Sequence, residues 1–185
     1  MQIIQTVAEL ESLYGPAVPG AITKVLPSLS RLYTQWIEAS RFVVLSTVGE
    51  VGTDASPRGD KGGVVKVVDP KTLWLPDWRG NNRMDSLRNI VEDGRVSLMF
   101  MVPGSNNVVR VNGRAVVTIE TSAINKFAQN GKHPRSVIVI TIDEVYYQCA
   151  KALMRSSLWK SDDERAQLPT AGQFNADIHE DFDAA

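Results

Sequence analysis

The sequence predicts a mainly β fold, in which six antiparallel strands form a β-barrel flanked by α-helices. Six segments are rich in β-branched or aromatic residues and end at Gly, Pro, Asn or Asp, a pattern typical of strands. The helical segments are few and do not alternate regularly with the strands, which argues against a doubly wound parallel sheet. A barrel also removes the exposed edges that an open antiparallel sheet leaves. The predicted strands are residues 42–48, 63–68, 72–75, 96–102, 108–119 and 137–147.

The first strongly predicted helix precedes these strands and covers residues 29–40. Its apolar residues recur at the i, i+3, i+4, i+7 and i+8 positions that share one helical face. They are Leu29, Leu32, Tyr33, Trp36 and Ile37. Either Ser28 or Ser30, just after Pro27, supplies a side chain suited to the N-cap.

Turn residues predict how the strands connect. Residues 50–52 (EVG) and 69–71 (DPK) fall between neighbouring predicted strands and indicate hairpin turns. Asn112 and Gly113 lie inside a long predicted strand, where such a pair indicates a β-bulge or a bend.

Further helices interrupt the strands. Residues 82–91 show amphipathic spacing, and Asn81 or Asn82 is the predicted N-cap. Residues 148–158 predict a second helix on weaker spacing, and residues 122–128 a shorter one.

The composition predicts one globular domain with an appended tail. The chain has 185 residues, and we expect the domain to cover residues 1–160, including N-terminal helices. Residues 161–185 hold seven Asp and Glu against one arginine, so we expect an acidic C-terminal tail, an arm or a loosely ordered extension. Residues 58–114 hold ten Lys and Arg against six Asp and Glu, so the middle of the chain is locally basic.

Charge and cysteine content set expectations for compartment and partners. The formal net charge of −1 gives no general attraction to nucleic acid or to anionic membranes, so we expect neither as a partner. The chain shows neither a basic, apolar leader nor an apolar run long enough to span a bilayer, and its single cysteine suits a reducing cytoplasm. Its two histidines are far apart in sequence, so we expect no metal site.

The first candidate site is residues 54–63 (DASPRGDKGG), between two predicted strands. Ser56 offers a hydroxyl, Arg58 offers a planar fork suited to phosphate oxygens, and Gly59 lets the backbone approach a ligand. The alternative interpretation is a glycine-rich hairpin loop with a solvated arginine.

The second candidate site is residues 75–87, where a predicted strand ends and a predicted helix begins. The N-terminus of a helix has free N–H groups and a partial positive charge, and therefore favours phosphate. Arg79 and Arg83 flank this terminus, and Trp78 is a plate that could cover a planar ring. The alternative is an ordinary Asn cap with exposed arginines.

Two further polar clusters are candidates. Residues 110–114 (RVNGR) place three polar side chains on one strand face, although that face could simply meet water. In residues 149–159, Lys151 and Arg155 share a helix face, which indicates either an anion site or a solvated surface. Cys149 has no neighbouring base, so we expect a buried structural thiol.

Familiar catalytic motifs are missing from the sequence. It contains no GxxxxGK phosphate loop, no GxGxxG after a strand, no GxSxG and no paired carboxylate motif. No catalytic residue is therefore assigned, and the chemistry is expected to come from a bound cofactor.

Six segments in their order resemble the pyridoxamine 5'-phosphate oxidase-related, FMN-binding split-barrel family. They are residues 54–60 (DASPRGD), 72–77 (TLWLPD), 80–90 (GNNRMDSLRNI), 98–104 (LMFMVPG), 110–115 (RVNGRA) and 149–159 (CAKALMRSSLW). The resemblance covers residues 30 to 160. Each segment alone is a weak signal, and the resemblance is specific because all six segments occur in the order found in the family. The resemblance implies a six-stranded split barrel, a homodimer with flavin in clefts at its interface, and FMN as cofactor.

The resemblance also assigns roles to individual residues. Asn81, Asn82 and Arg83 match the start of the helix that holds the flavin phosphate, and Arg79 lies beside them. Asp77 and Trp78 match the strand end near the flavin ring. Ser56, Arg58 and the backbone at Gly59 resemble the upstream phosphate or ring contact, with Lys66 as the alternative phosphate residue. Lys151, Arg155 and Trp159 resemble contacts from the second protomer or on the substrate side.

One departure bears on the substrate. The pyridoxamine phosphate oxidase itself ends in an arginine-rich, substrate-binding segment, whereas residues 161–185 are acidic here. The resemblance therefore implies an FMN-dependent oxidoreductase that acts on a small molecule of unknown identity, and the acidic segment argues against vitamin B6 phosphate as that molecule. The alternatives are a deazaflavin-dependent reductase on the same fold and a non-catalytic flavin-binding or interaction protein.

Overall fold

The computed structural model describes residues 1–160 and 168–183, and only the backbone for residues 179–183. The described residues form seven strands in one antiparallel sheet, in the order β2-β1-β5-β6-β7-β4-β3. The strands are β1 Phe42–Gly49, β2 Gly52–Gly59, β3 Lys66–Asp69, β4 Thr72–Asp77, β5 Arg95–Met101, β6 Val108–Thr118 and β7 Ser136–Gln148. The helices are α1 Val7–Tyr14, α2 Pro19–Thr23, α3 Arg31–Ala39, α4 Asp85–Glu92, α5 Thr121–Asn125, α6 Lys151–Arg155 and α7 Ala171–Asp183.

The mainly β, antiparallel class is confirmed, but the sheet has seven strands rather than the six predicted, and backbone hydrogen bonds do not close it. The additional strand is β2, whose Gly, Asp and Pro residues are poor strand formers and predict a loop. All eight of its residues nevertheless pair with β1. Pro57 is tolerated there because β2 has only one neighbour in the sheet. Within the described sheet, β2 and β3 remain as two free edges, so hydrogen bonds do not close it.

The predicted turns match the structure. Gly49 pairs with Gly52 across a two-residue turn between β1 and β2. Strands β3 and β4 form the second hairpin, which ends at the pair Asp69 and Thr72. The register between β6 and β7 shifts at Asn112 and Gly113, so the predicted bulge is confirmed.

The core lies between the sheet and the helices α3 and α4. Alternate residues of the central strands are fully buried, including Val43, Leu98, Val111 and Ile140. The amphipathic helix α3 covers this core with Ile37, which is also fully buried. Ser30 caps α3 as predicted, because its hydroxyl accepts a hydrogen bond from the backbone N–H of Tyr33 at 3.4 Å.

Helix α4 rests on strand β1, and polar contacts fix its position. The Asn89 side-chain amide donates to the buried Thr47 hydroxyl at 3.0 Å. A Cβ at Gly49 would collide with the side-chain amide of Asn89, so a larger residue there would displace that amide from its place beside Thr47. The helix begins at Asp85 rather than at residue 82, and Met84 occupies its N-cap position instead of the predicted asparagines.

The ends of the chain carry short helices that contribute little to the core. Helices α1, α2 and α6 bury none of their own residues. The predicted acidic tail includes α7, whereas residues 161–167 and 184–185 of that tail lie outside the described residues. The division at residue 160 stays a prediction. None of the described helices is both long and apolar enough to cross a membrane.

Substituting Gly113 tests the bulge. A Cβ there would lie 2.0 Å from the Thr141 carbonyl oxygen, which is backbone and has no room to move. We expect Gly113→Ala to lower the free energy of unfolding by about 3 kcal/mol, the upper range for overpacking. Urea denaturation measures the change.

Gly62→Ala is the matched control for this substitution, because no atom lies within 4 Å of the added Cβ. We expect its unfolding midpoint to stay close to that of the unmodified protein. Equal midpoints for the two variants would contradict the proposed role of the bulge.

Candidate functional site

Strand β2 presents a polar face to the inside of the molecule. Asp54, Ser56 and Arg58 are partly buried, while the residues between them are exposed. This alternation follows from the two-residue period of a strand, which points every second side chain the same way. Three polar side chains therefore line one side of a cleft.

An ion pair joins β2 to the far part of the sheet. Arg58 Nη1 donates to Asp77 Oδ1 at 2.6 Å, and the two side chains are 24% and 16% exposed. Asp77 ends β4, which lies four strands away from β1 and five away from β2 in the sheet order. The sheet therefore curls until β2 meets β4, the strand next to its far edge, through side chains. This contact crosses the gap that backbone pairing leaves open.

A chain of hydrogen bonds continues from this ion pair. Arg58 Nε donates to Ser56 Oγ at 3.3 Å, Ser56 Oγ lies 3.0 Å from Ser86 Oγ, and Ser86 Oγ donates to Asp54 Oδ2 at 2.8 Å. A guanidinium only donates and a carboxylate only accepts. Both hydroxyl protons must therefore point toward Asp54, which makes Ser56 the donor to Ser86.

Two residues between β4 and α4 adopt the left-handed backbone conformation, Asn82 with φ 61° and Met84 with φ 59°. The Asn81 side chain accepts a hydrogen bond from the Arg83 backbone N–H at 3.1 Å, which holds this turn. No described side chain caps α4, so the N–H groups of its first turn have no side-chain acceptor in the described part of the chain. Such groups favour an anion.

Arg135 links this loop to β7. Its backbone N–H donates to the Asp77 carbonyl at 3.0 Å, and its Nη1 donates to Asn82 Oδ1 at 3.2 Å. Arg83 forms an ion pair with Asp85 at the first residue of α4. The loop is thus held between the start of β7 and the start of α4.

These elements enclose a cleft of about 680 Å³, named here the arginine cleft after Arg58, Arg79, Arg83 and Arg135. The volume falls within the range of about 300–1,000 Å³ typical of small-molecule sites. Eight predicted site residues line it, namely Ser56, Arg58, Asp77, Trp78, Arg79, Asn81, Asn82 and Arg83. Trp78 stands at its edge and packs against a separate small apolar cluster.

Five other predicted site residues do not line the arginine cleft. Gly59 lines two smaller hollows of about 310 and 200 Å³ that also touch Trp78. The Lys66 ammonium lies 5.3 Å from the centre of the Phe127 ring. Lys151, Arg155 and Trp159 follow the other end of β7, where Trp159 Nε1 donates to the Ser105 carbonyl at 2.7 Å.

Other candidate residues have structural partners. Asn112 accepts from Ser97 and donates to Glu144, each at 2.6 Å, and the Arg110 guanidinium lies 5.3 Å from the centre of the Tyr146 ring. Cys149 is exposed, so the expectation of a buried thiol is wrong. The described residues contain no group of three or more His, Cys, Asp or Glu that could hold a metal ion.

Asp54 and Ser86 lie inside the two candidate segments but were given no individual role there, and Arg135 lies outside both segments. Asp54 carried a usable signal, because it stands at i, i+2 and i+4 spacing with Ser56 and Arg58. Arg135 directly precedes a predicted strand, but only the pairing of β7 with β4 places it beside Asp77.

The chain is similar to known proteins both as a member of a family and in its fold. The family model described as pyridoxamine 5'-phosphate oxidase matches residues 29–149. No protein of curated function matches the chain by sequence. Among solved structures, HupZ of Group A Streptococcus is 16% identical, covers 63% of this chain and 91% of its own, and has a TM-score of 0.53.

Two further structures are similar. A candidate pyridoxamine 5'-phosphate oxidase from Lactobacillus delbrueckii is 22% identical, with 65% of this chain and 95% of that chain covered and a TM-score of 0.51. An FMN-binding protein from Syntrophomonas wolfei is 12% identical, with 77% and 97% covered and a TM-score of 0.48. At these identities, HupZ and the Lactobacillus protein establish a shared fold.

A double-mutant cycle tests the ion pair that forms the cleft wall. We expect Arg58→Met and Asp77→Asn to couple by about 1 kcal/mol in unfolding free energy, below the full value of a charge-assisted hydrogen bond because the pair is partly exposed. Urea denaturation of both single variants and the double variant gives this coupling.

The pair Asp93 and Arg95 provides a control cycle of the same chemistry on the surface, where the arginine side chain is 59% exposed. Its coupling should be the smaller of the two, since solvent screens exposed pairs. A coupling in the control that equals or exceeds that of Arg58 and Asp77 would contradict the wall assignment.

Proposed function

The chain belongs to the pyridoxamine 5'-phosphate oxidase family, and from that premise we propose that it binds FMN in the arginine cleft and acts as an FMN-dependent oxidoreductase. The observation that carries the proposal is the convergence of Arg79, Arg83 and Arg135 on the uncapped start of α4. Guanidinium groups and free helical N–H groups are the donors that suit a phosphate.

The residues of the cleft fit the parts of FMN. Asn81, Asn82 and Arg83 would hold the phosphate at the start of α4, where the turn between β4 and α4 is already fixed by its own hydrogen bonds. Asp77 and Trp78 would lie beside the flavin ring. A partly buried tryptophan that packs on a fixed apolar cluster offers a flat surface without a large loss of side-chain freedom.

Bound FMN would supply two-electron, hydride-level redox chemistry. The chain's own residues would bind and orient the cofactor and keep water from one side of it. The hydroxyls of Ser56 and Ser86 are committed to the chain that ends at Asp54, so they position groups rather than exchange protons freely.

A homodimer would complete the site. Lys151, Arg155 and Trp159 lie beyond Gln148 at one end of β7, whereas the cleft lies at Ser136 at its other end. The strand between them spans about 40 Å of extended backbone, so these residues would reach a cleft of the partner protomer. This placement agrees with the dimer that the family resemblance implies.

Absorbance spectroscopy tests the cofactor directly. After incubation with excess FMN and desalting, we expect the full chain to retain bands near ~375 and ~450 nm, the absorption of an oxidised flavin cofactor. Retention of a deazaflavin but not of FMN would transfer the proposal to that cofactor. Retention of neither cofactor would favour the alternative that the chain is a non-catalytic interaction protein with this fold.

Arg83→Ala tests the phosphate end of the site. The substitution removes a guanidinium and leaves Asp85 unpaired beside the phosphate, so we expect FMN binding to weaken by about 1–3 kcal/mol. Fluorescence titration with FMN measures the change.

Arg88→Ala serves as the control for this prediction. Arg88 is exposed on the same helix and does not line the cleft, so its loss should leave the FMN affinity unchanged. Equal affinities for the unmodified protein and for Arg83→Ala would exclude the helix-start assignment.

The proposed dimer is tested by light scattering coupled to size-exclusion chromatography. We expect a mass of twice 20.4 kDa for the full chain. Trp159→Ala should weaken FMN binding, because its ring would contact the flavin of the partner protomer. A monomer with undiminished FMN affinity would contradict this arrangement.

A further inference from the structure

The charged side chains of the arginine cleft divide into two groups of opposite sign. The first group, named here the tie wall, consists of Asp54, Arg58 and Asp77 and has a formal charge of −1. The second group, named here the rim, consists of Arg79, Arg83, Asp85 and Arg135 and has a formal charge of +2. An anionic group entering the cleft is therefore attracted to the rim and repelled by the tie wall.

The charge of Arg58 is already compensated. Its Nη1 contacts Asp77 Oδ1 at 2.6 Å and its Nε contacts Ser56 Oγ at 3.3 Å, so two of its donors are in use. A phosphate beside Arg58 would lie close to the carboxylate of Asp77 as well. Attraction to one member of the pair would be largely cancelled by repulsion from the other.

Arg135 is in the opposite situation. Its side chain donates to Asn82 Oδ1, which is a neutral amide, and within the described residues it forms no ion pair with a carboxylate. Its backbone N–H is held by the Asp77 carbonyl at 3.0 Å, so the guanidinium extends from a fixed point at the start of β7. A positioned, uncompensated guanidinium is well suited to bind a dianion.

Arg79 strengthens the same end of the cleft. It is exposed, lines the cleft and also lacks a carboxylate partner within the described residues. Arg83 is compensated in part by Asp85. The uncompensated positive charge of the cleft therefore belongs to Arg79 and Arg135.

We propose that Arg135 and Arg79 bind the phosphate of the flavin together with the helix start at Arg83, and that Arg58 instead ties β2 to β4. This inference rests on the proposed function, because it takes FMN as the ligand of the cleft. It differs from the family resemblance, which makes Arg58 an upstream phosphate or ring contact with Lys66 as the alternative.

The experiment compares the affinities for FMN and riboflavin, which differ only in the phosphate. Fluorescence titrations of the full chain give the ratio of the two dissociation constants. We expect the unmodified protein to prefer FMN, and Arg135→Gln to reduce that preference at least about tenfold while riboflavin affinity stays unchanged. Arg79→Gln, at an exposed position where folding is not at stake, should reduce it in the same sense.

A charge-neutral double variant tests the role of Arg58. Arg58→Met combined with Asp77→Asn removes both charges of the pair, so no unpaired aspartate is left to repel phosphate. We expect FMN and riboflavin to weaken by equal factors in this variant, which leaves their ratio unchanged. Arg88→Gln is the control, with an unchanged ratio expected because Arg88 does not line the cleft.

The outcomes separate the two proposals. Binding of neither flavin by the unmodified protein would overturn both. Equal affinities for FMN and riboflavin in the unmodified protein would overturn the phosphate assignment and leave flavin binding in place. An unchanged ratio in both Arg135→Gln and Arg79→Gln, or a lost FMN preference in the double variant alone, would show that Arg58 binds the phosphate instead.

Competition by inorganic phosphate gives a second readout, since it should weaken FMN binding to the unmodified protein more than to Arg135→Gln.

Discussion

The ion pair between Arg58 and Asp77 is the contact on which the architecture of the site depends. The sheet runs from β2 to β3 through seven strands and leaves both ends without a backbone partner in the described chain. At 2.6 Å, this pair brings side chains of β2 and β4 together across the resulting gap. A closed barrel would fill that space with backbone hydrogen bonds. Because the gap is bridged by side chains instead, a cleft remains beside the bridge.

The same contact connects the cleft to the rest of the fold. Asp77 also offers its carbonyl oxygen to the backbone of Arg135, so one residue holds both β2 and the start of β7. On the other side, Ser86 connects α4 to Asp54, and Asn89 connects α4 to Thr47 in β1. The loop between β4 and α4 is therefore fixed at both ends. Asn82 is a residue type that readily adopts the left-handed conformation, whereas Met84 is not and depends on these attachments and on the hydrogen bond accepted by Asn81.

The sequence allowed the fold class to be predicted, because apolar periodicity and turn residues report directly on strands and helices. It did not allow β2 to be predicted, since the Gly, Asp and Pro residues of that strand oppose local strand formation and pairing with β1 overrides them. The loop between β4 and α4 was found because a strand end, arginines and a helix start are close in sequence. The role of Arg135 could not be predicted from the sequence, because its proximity to Asp77 arises only from the pairing of β4 with β7.

The direction of the hydroxyl chain limits how a ligand can lie in the cleft. Since the protons of Ser56 and Ser86 both point toward Asp54, these oxygens present lone pairs rather than O–H groups to a ligand. The oxygens of Asp54, Ser56 and Ser86 therefore accept hydrogen bonds from a ligand, whereas the guanidinium groups of the rim donate them. A molecule with N–H groups at one end and a phosphate at the other satisfies both sides in one orientation only. FMN has this polarity, so in the proposed complex its ring N–H would face these oxygens and its phosphate would face the arginines of the rim.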